Sequence, residues 1–173
     1  MPKRVLRVGL HELDKAVAEV ERMERAVKDG VNHLVTLLSQ AGVEIASARL
    51  MAYGAISTGE LDISLRYLIS EDGRRGIIRT DSDHAAFVEF GTGVRGASVP
   101  HPTLPWAYDI HGHGDSGWWY PTDATDPNPT KRQAPDGSFW AWTKGMPSRP
   151  FMYDTARELA DRVAETAREV FKT

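Results

Sequence analysis

The sequence predicts an α+β fold: long N-terminal helices, a small antiparallel sheet, a long Pro- and Trp-rich loop carrying a hairpin, and a C-terminal helix packed on the sheet. Three patterns lead there. Apolar residues recur at three- and four-residue steps at both ends of the chain. Apolar and polar residues alternate through Leu61–Ser70, broken only at Leu68. Nine of the ten prolines fall between Pro100 and Pro150, and all five tryptophans between Trp106 and Trp142, which marks that stretch as different from its flanks.

Leu10, Leu13, Val17, Val20, Met23 and Val27 form one helical stripe, with Glu19, Glu21, Arg22, Glu24 and Arg25 between them. Asp29-Gly30 reads as an interruption. A second helix follows through Val31, Leu34, Leu38, Ile45 and Ala48 to Tyr53, with Gly54 as its stop. Both stripes are expected to be core faces, and the a/d spacing of the first leaves open a coiled-coil-like contact with a neighbouring subunit.

Leu61, Ile63, Leu65, Tyr67 and Ile69 would line one face of a strand, with Asp62, Ser64, Arg66 and Ser70 opposite. Glu71-Asp72-Gly73 supplies a turn, and Gly76 to Asp81 returns as the antiparallel partner. Asp83 to Phe90 fits either a third strand or two turns of helix capped by Asp83 and stopped at Gly91, and the helix is the preferred reading. Disordered segments lack the aromatic surface to fold, so Trp118, Trp119, Tyr120, Phe139, Trp140 and Trp142 argue that the Pro-rich stretch is ordered. Trp118–Thr122 and Ser138–Thr143 are the expected hairpin arms, closed either by Asp136-Gly137 turning the chain or by a longer loop through Pro127 and Pro135. Met152, Ala156, Leu159, Val163, Ala167 and Val170 trace the final helix, which Pro150 opens. All of this suits one domain, 1–173, with 96–145 as an aromatic excursion inside it.

Composition excludes several chemistries. With no cysteine there are no disulfides, thiolate metal sites or cysteine nucleophiles. Lys and Arg total 21 against 24 Asp and Glu, a net charge of −3, and no basic run makes a nucleic-acid or membrane footprint. No segment reaches the roughly 18 uninterrupted apolar residues of a membrane span. Met1 to Asp14 lacks a signal-peptide apolar stretch, so export by that route is not expected.

Four candidate chemistries remain. Gly91-Thr92-Gly93-Val94-Arg95-Gly96 spells a dinucleotide fingerprint, yet Ala97-Ser98-Val99-Pro100-His101-Pro102 is a poor start for the helix the motif must open, so the expectation is a mobile glycine loop. His101, Asp109, His111, His113 and Asp115 could converge on a divalent metal, although their spacing suits a polar surface loop better. Glu89, flanked by Val88 and Phe90, could serve as an acid or base if buried; the expected role is structural, accepting amides of the Thr92-Gly93 turn. The tryptophans could stack on sugars or single strands, but with only Lys131, Arg132 and Lys144 nearby a protein interface or minicore explains them better. No catalytic, metal or cofactor residues are assigned.

Three segments carry a family resemblance: Ser57-Thr58-Gly59-Glu60-Leu61-Asp62-Ile63-Ser64 after a long helix, His84-Ala85-Ala86-Phe87-Val88-Glu89-Phe90-Gly91-Thr92-Gly93, and Met146-Pro147-Ser148-Arg149-Pro150-Phe151-Met152 opening a final helix. In this order they resemble the phage minor tail or head-tail connector proteins typified by gene product ten of phage HK-ninety-seven, over roughly residues 9–95 and 144–172. The motif positions are Thr58, Gly59, Leu61, Glu89, Phe90, Gly91, Thr92, Gly93, Arg149, Pro150 and Phe151. Two positions depart from the family pattern, with Ala55-Ile56-Ser57 where a proline is usual and His84 where tyrosine is usual.

The resemblance implies a non-enzymatic virion protein of a tailed phage, assembled in the host cytoplasm at the neck or upper tail. It would form a ring, commonly a hexamer, that completes or terminates the tail and joins it to the head connector. Its implied partners are itself, connector or adaptor proteins and tail-tube proteins. DNA would cross the lumen without specific binding, for which an acidic chain is suited, and no membrane is involved. Trp118, Trp119, Tyr120, Phe139, Trp140 and Trp142 are the candidate contacts with neighbours and partners. The alternative is a metal-binding hydrolase or a carbohydrate or cell-wall binding module built on the His and Trp loop.

Overall fold

Helix α1 runs unbroken from Leu10 to Ala52, 43 residues in place of the two expected helices, in the computed structural model, which describes residues 9–55, 59–103, 106, 108, 112–113 and 115–172. Glu12 reaches back from the third helical position so that its Oε2 accepts the Gly9 N–H at 3.1 Å, half of a capping box. Gly30 does not break the helix because it is a seat for a ring: a Cβ there would lie 2.4 Å from Phe171 Cε1. Packing thus overrides the cost of an interior glycine, about 1 kcal/mol. The C-terminus is a Schellman turn at the expected stop, with Ala55 N–H on Leu50 O, Gly54 N–H on Met51 O, and Gly54 at φ +59°.

The expected strand from Leu61 divides in two. Glu60–Ile63 forms a single helical turn, α2, and only Arg66–Ile69 is extended, as β1. Leu61 and Leu65 are spaced i, i+4 as well as by alternation, and the helical reading buries both while leaving Ile63 84% exposed. Strand β2, Gly76–Arg79, pairs antiparallel with β1 as expected, Tyr67 opposite Ile78 and Leu68 opposite Ile77. Gly73, at φ +69°, turns the connection. The hairpin lies along α1: Gly76 meets Ser39, Ile78 lies over Gly42, and the Gln40 amide donates to the Tyr67 hydroxyl.

Helix α3, Ala85–Phe90, stops at Gly91 as expected, although His84, not Asp83, occupies its N-cap. The glycine loop of the sequence reading is instead a second short helix, α4, Gly93–Ser98. Beyond it, β3 (Trp118–Thr122) and β5 (Phe139–Thr143) pair antiparallel as expected, but a long loop joins them and not the Asp136-Gly137 turn: a two-residue strand β4, Arg132–Gln133, which the sequence did not reveal, lies between them in the chain and joins β5 on its other edge. Asp136-Gly137 makes the β4–β5 turn, the Asp136 carboxylate accepting the Ser138 N–H and hydroxyl.

Helix α5, Phe151–Val170, opens at Pro150, which is its N-cap, and runs back antiparallel along α1. Tyr53 donates to Asp154, Arg49 donates to Glu158 at 2.9 Å, Leu159 meets Ile78 of β2 over Gly42, and Phe171 covers Gly30. The core gathers Ala46 and Leu50 of α1, Leu61, Leu65, Val88 of α3 and the fully buried Phe151. The fold is therefore α+β, with the C-terminal helix meeting the sheet across the first helix.

Candidate functional site

Two regions carry the residues singled out in the sequence. The first is a clasp joining the second and third motifs. Residues 144–149 run antiparallel to 88–95: Arg149 N–H donates to Val88 O, Ser148 Oγ to Glu89 O at 2.6 Å, Thr92 N–H to Met146 O, and Arg95 N–H to Lys144 O. Backbones approach this closely only because three positions lack a side chain. A Cβ on Gly91 would stand 2.6 Å from Ser148 N, one on Gly93 2.7 Å from Lys144 O, and one on Gly145 1.9 Å from Thr92 O. The space at the fingerprint glycines Gly91, Gly93 and Gly96 is thus occupied by the chain's own backbone and by the rings of Trp118 and Tyr108.

Glu89 sits at the centre of the clasp and is buried. Its carboxylate accepts neither amide of the Thr92-Gly93 turn; Thr92 N–H goes to Met146 O and Gly93 N–H to Tyr108 O. Instead Oε2 accepts the Met152 N–H at 2.8 Å and Oε1 the Tyr153 N–H at 3.0 Å, two of the orphan amides at the start of α5. The acid therefore caps a 20-residue helix from outside it, where the helix dipole favours negative charge. His101, also buried, completes the arrangement. Its Nδ1 accepts the Thr103 N–H at 3.3 Å, which leaves Nε2 carrying the proton toward Glu89 Oε1 at 3.1 Å. Phe90 lies against the imidazole, ring centroids 4.6 Å apart, and stacks on Trp106 at 4.5 Å.

Of the other motif residues, Pro150 and Phe151 open α5 beside Glu89, Arg149 enters through its backbone, and Leu61 reaches the same core as Phe151. Gly59 heads α2 at φ +80°, and Thr58 lies outside the described residues. Of the histidine cluster, His101 belongs to the clasp, His113 stacks on Trp118 at 4.4 Å, Asp115 is exposed, and Asp109 and His111 lie outside the described residues. Among the described residues no group of three or more His, Asp or Glu is placed to hold a metal.

The second region is the three-stranded sheet. Trp119 stands opposite Trp142 and Pro121 opposite Trp140, so these four side chains share one face, while Trp118, Tyr120, Phe139 and Ala141 share the other. The six aromatics singled out in the sequence thus divide by role. Trp118 packs on Gly93 and His113, and Tyr120 donates to Asp126 at 2.9 Å, so both serve the excursion's attachment and internal order. Phe139 lies under Lys131, 6.0 Å from its ring centroid. Trp119 and Trp140, 45% and 39% exposed, face outward with half-buried Trp142. The Arg132 guanidinium lies over Trp119 at 5.3 Å and Lys144 over Trp142 at 5.8 Å, cation–π contacts that hold the rings in place.

Asp126 pins the loop behind this face. It accepts from Tyr120 and Thr122 hydroxyls and from the Asn128 N–H, and these bonds, that from Thr122 foremost, hold its carboxyl below the ordinary value. Asn128 in turn donates to Trp142 O at 3.2 Å. Nothing in local sequence distinguishes Asp126 from other loop acids, because its two hydroxyl partners, Tyr120 and Thr122, come from β3.

Comparison with family models, curated proteins and solved structures finds no match for this chain. Among the described residues no helix is long and apolar enough to cross a membrane.

Proposed function

We propose that the chain is a structural subunit of a tailed-phage virion, placed at the neck or upper tail, where copies form a homo-oligomeric ring that completes the tail and joins it to the head connector. The observation that carries this reading is the clasp. The resemblance rests on motifs far apart in sequence, and Glu89 and Ser148, 59 residues apart, lock the second motif onto the third through a 2.6 Å hydrogen bond. The second and third motifs thus form a single structural unit, as they would if they belonged to the signature of one fold.

In this reading the ring is hexameric, the outward Trp119, Trp140 and Trp142 meet connector, adaptor or tail-tube proteins, and the role is mechanical. Exposed tryptophans held by cations are suited to be anchors at a protein interface. A net charge of −3 suits a lumen that DNA crosses without adhering. Negative-stain microscopy of the purified protein and of the particle tests the reading, with a closed ring at the neck expected. Trp119→Ser with Trp140→Ser should leave a folded ring that no longer joins heads to tails; unchanged joining would remove the tryptophan face from the partner contact.

One observation favours a second reading, a carbohydrate-binding platform. A groove of about 370 Å³ borders Trp142 and brings Arg95, Asp126 and Asn128 beside the indole, the mixture of ring and polar groups that sugars engage. A glycan pulldown that retains cell-wall saccharides, and loses them on Trp142→Ala, would favour it over the virion role.

A further inference from the structure

Helix α5 covers α1 only from Gly30 to Tyr53. The preceding twenty residues of α1, about 30 Å of helix at 1.5 Å per residue, are exposed wherever their side chains are described. This arm is amphipathic. Leu13, Val20 and Val27 recur every seven residues, as do Ala16 and Met23, and the seam continues into Gly30, where Phe171, the C-cap of α5, takes over. Leu13, Val17, Val20, Met23 and Val27 are each between 51% and 63% exposed.

The charges beside the seam have one sign. In this heptad phase its flanks hold Glu12, Glu19 and Glu24, whereas Lys15, Arg22, Arg25 and Lys28 sit further round the helix. Arg22 pairs with Glu19 at 3.3 Å, a solvent-exposed contact of small energy. Two arms side by side in parallel would set Glu19 against Glu24 of the other copy, which like-charge repulsion opposes. The arm therefore fits an apolar strip edged by basic residues.

The outer face of the β1–β2 hairpin has that chemistry. Leu68 and Ile77 are cross-strand partners, 44% and 51% exposed, on the face turned away from α1. Arg66 and Arg79 flank them as the next pair on that face, with Asp81 bound to both, and Arg75 lies two residues before Ile77. A copy's own arm cannot reach this strip, because the hairpin's inner face is fixed to the far half of the same continuous helix.

We propose that the arm of each copy docks on the outer hairpin face of the next copy, with Val20 and Val27 over Leu68 and Ile77 and Glu12, Glu19 and Glu24 against Arg66, Arg75 and Arg79. Arm and hairpin are different surfaces, so the contact is heterologous and repeats around a closed rotation as a ring. The inference rests on the ring reading above and deepens it by naming the contact between subunits.

The cysteine-free chain makes the test direct. Val20→Cys with Ile77→Cys, both at exposed positions, treated with a short bismaleimide, should give a denaturant-resistant ladder extending past dimer. Mixed single variants should give dimer and no more. If microscopy shows rings while the double variant gives no ladder, or if Val20→Cys alone links into dimers, the docking is wrong and the ring reading stands. A protein that sediments as a monomer at every concentration overturns both. Val20→Asp with Val27→Asp should keep the helical spectrum of the subunit and abolish rings; rings retained by this variant would also overturn the docking.

Discussion

The Glu89 carboxylate and the Met152 amide, 63 residues apart, meet at 2.8 Å, and that contact makes the start of the C-terminal helix dependent on an acid in another element. Removing it by Glu89→Ala strands the N–H groups of Met152 and Tyr153 and the Nε2–H of His101 in a buried site. With a loss of about 1–3 kcal/mol for an unsatisfied buried group and partial relaxation among the three, the expected destabilisation is on the order of 3 kcal/mol. Glu89→Gln, which keeps one acceptor, should lose less. Urea denaturation followed by far-UV circular dichroism measures both, and an Ala variant as stable as the parent would remove Glu89 from the structural centre of the clasp.

Two glycines separate backbone strain from steric exclusion. Gly137 and Gly145 both adopt positive φ, +87° and +91°, but a Cβ on Gly137 would meet nothing within 4 Å whereas one on Gly145 would stand 1.9 Å from Thr92 O. Gly137→Ala should therefore cost only the left-handed penalty, about 1 kcal/mol. Gly145→Ala must also part the 92–146 backbone pairing, and about 3 kcal/mol or more is expected. Equal costs in thermal unfolding would show that the close approach at Thr92 is dispensable.

Local patterns were legible where the structure answers to them locally. The aromatic segments Trp118–Thr122 and Ser138–Thr143 were legible as paired strands, though not the β4 that lies between them in the chain, and Gly91 and Gly54 stop their helices as turn chemistry requires. Gly30 misled because a glycine that breaks a helix and one that seats a ring look alike until Phe171 arrives from the far end of the chain. Leu61–Ile69 misled because Leu61 and Leu65 satisfy period 2 and i, i+4 together, and burial in the Phe151 core chose the helical turn. For the candidate site, the importance of Glu89 was legible from its apolar flanks, but its partners were not. The α5 amides and His101 are brought to it by tertiary folding, and no spacing encodes that.

Acid should loosen the excursion. The carboxyls of Asp123, Asp126 and Asp136 are all held below their ordinary values by hydrogen bonds, led by those from the Thr125, Thr122 and Ser138 hydroxyls. A carboxyl lowered on folding contributes stability above its ordinary titration range, and this is lost as pH falls through the folded-state value. Since every tryptophan lies within 106–142, indole emission reports this region directly. Emission should shift on acidification, and Asp126→Asn should shift it already at neutral pH with a smaller further response to acid. Emission independent of pH until the helices themselves unfold would show that Asp126 does not pin the sheet.

Alkali acts at the other end of the molecule, between α1 and α5. Burial, reinforced by the hydrogen bond to the Asp154 carboxylate, pushes the Tyr53 hydroxyl from 10.0 up to about 12. A group raised on folding contributes stability that is complete below its unfolded value and is lost as pH rises toward the folded one. The helix pair should therefore weaken progressively between pH 10 and about 12. Tyr53→Phe should be less stable than the parent at neutral pH, having lost the bond to Asp154, and its stability should fall less steeply across that alkaline window. Parallel stability curves for the two proteins would mean that Tyr53 titrates alike folded and unfolded, so that the hydroxyl does not tie α1 to α5.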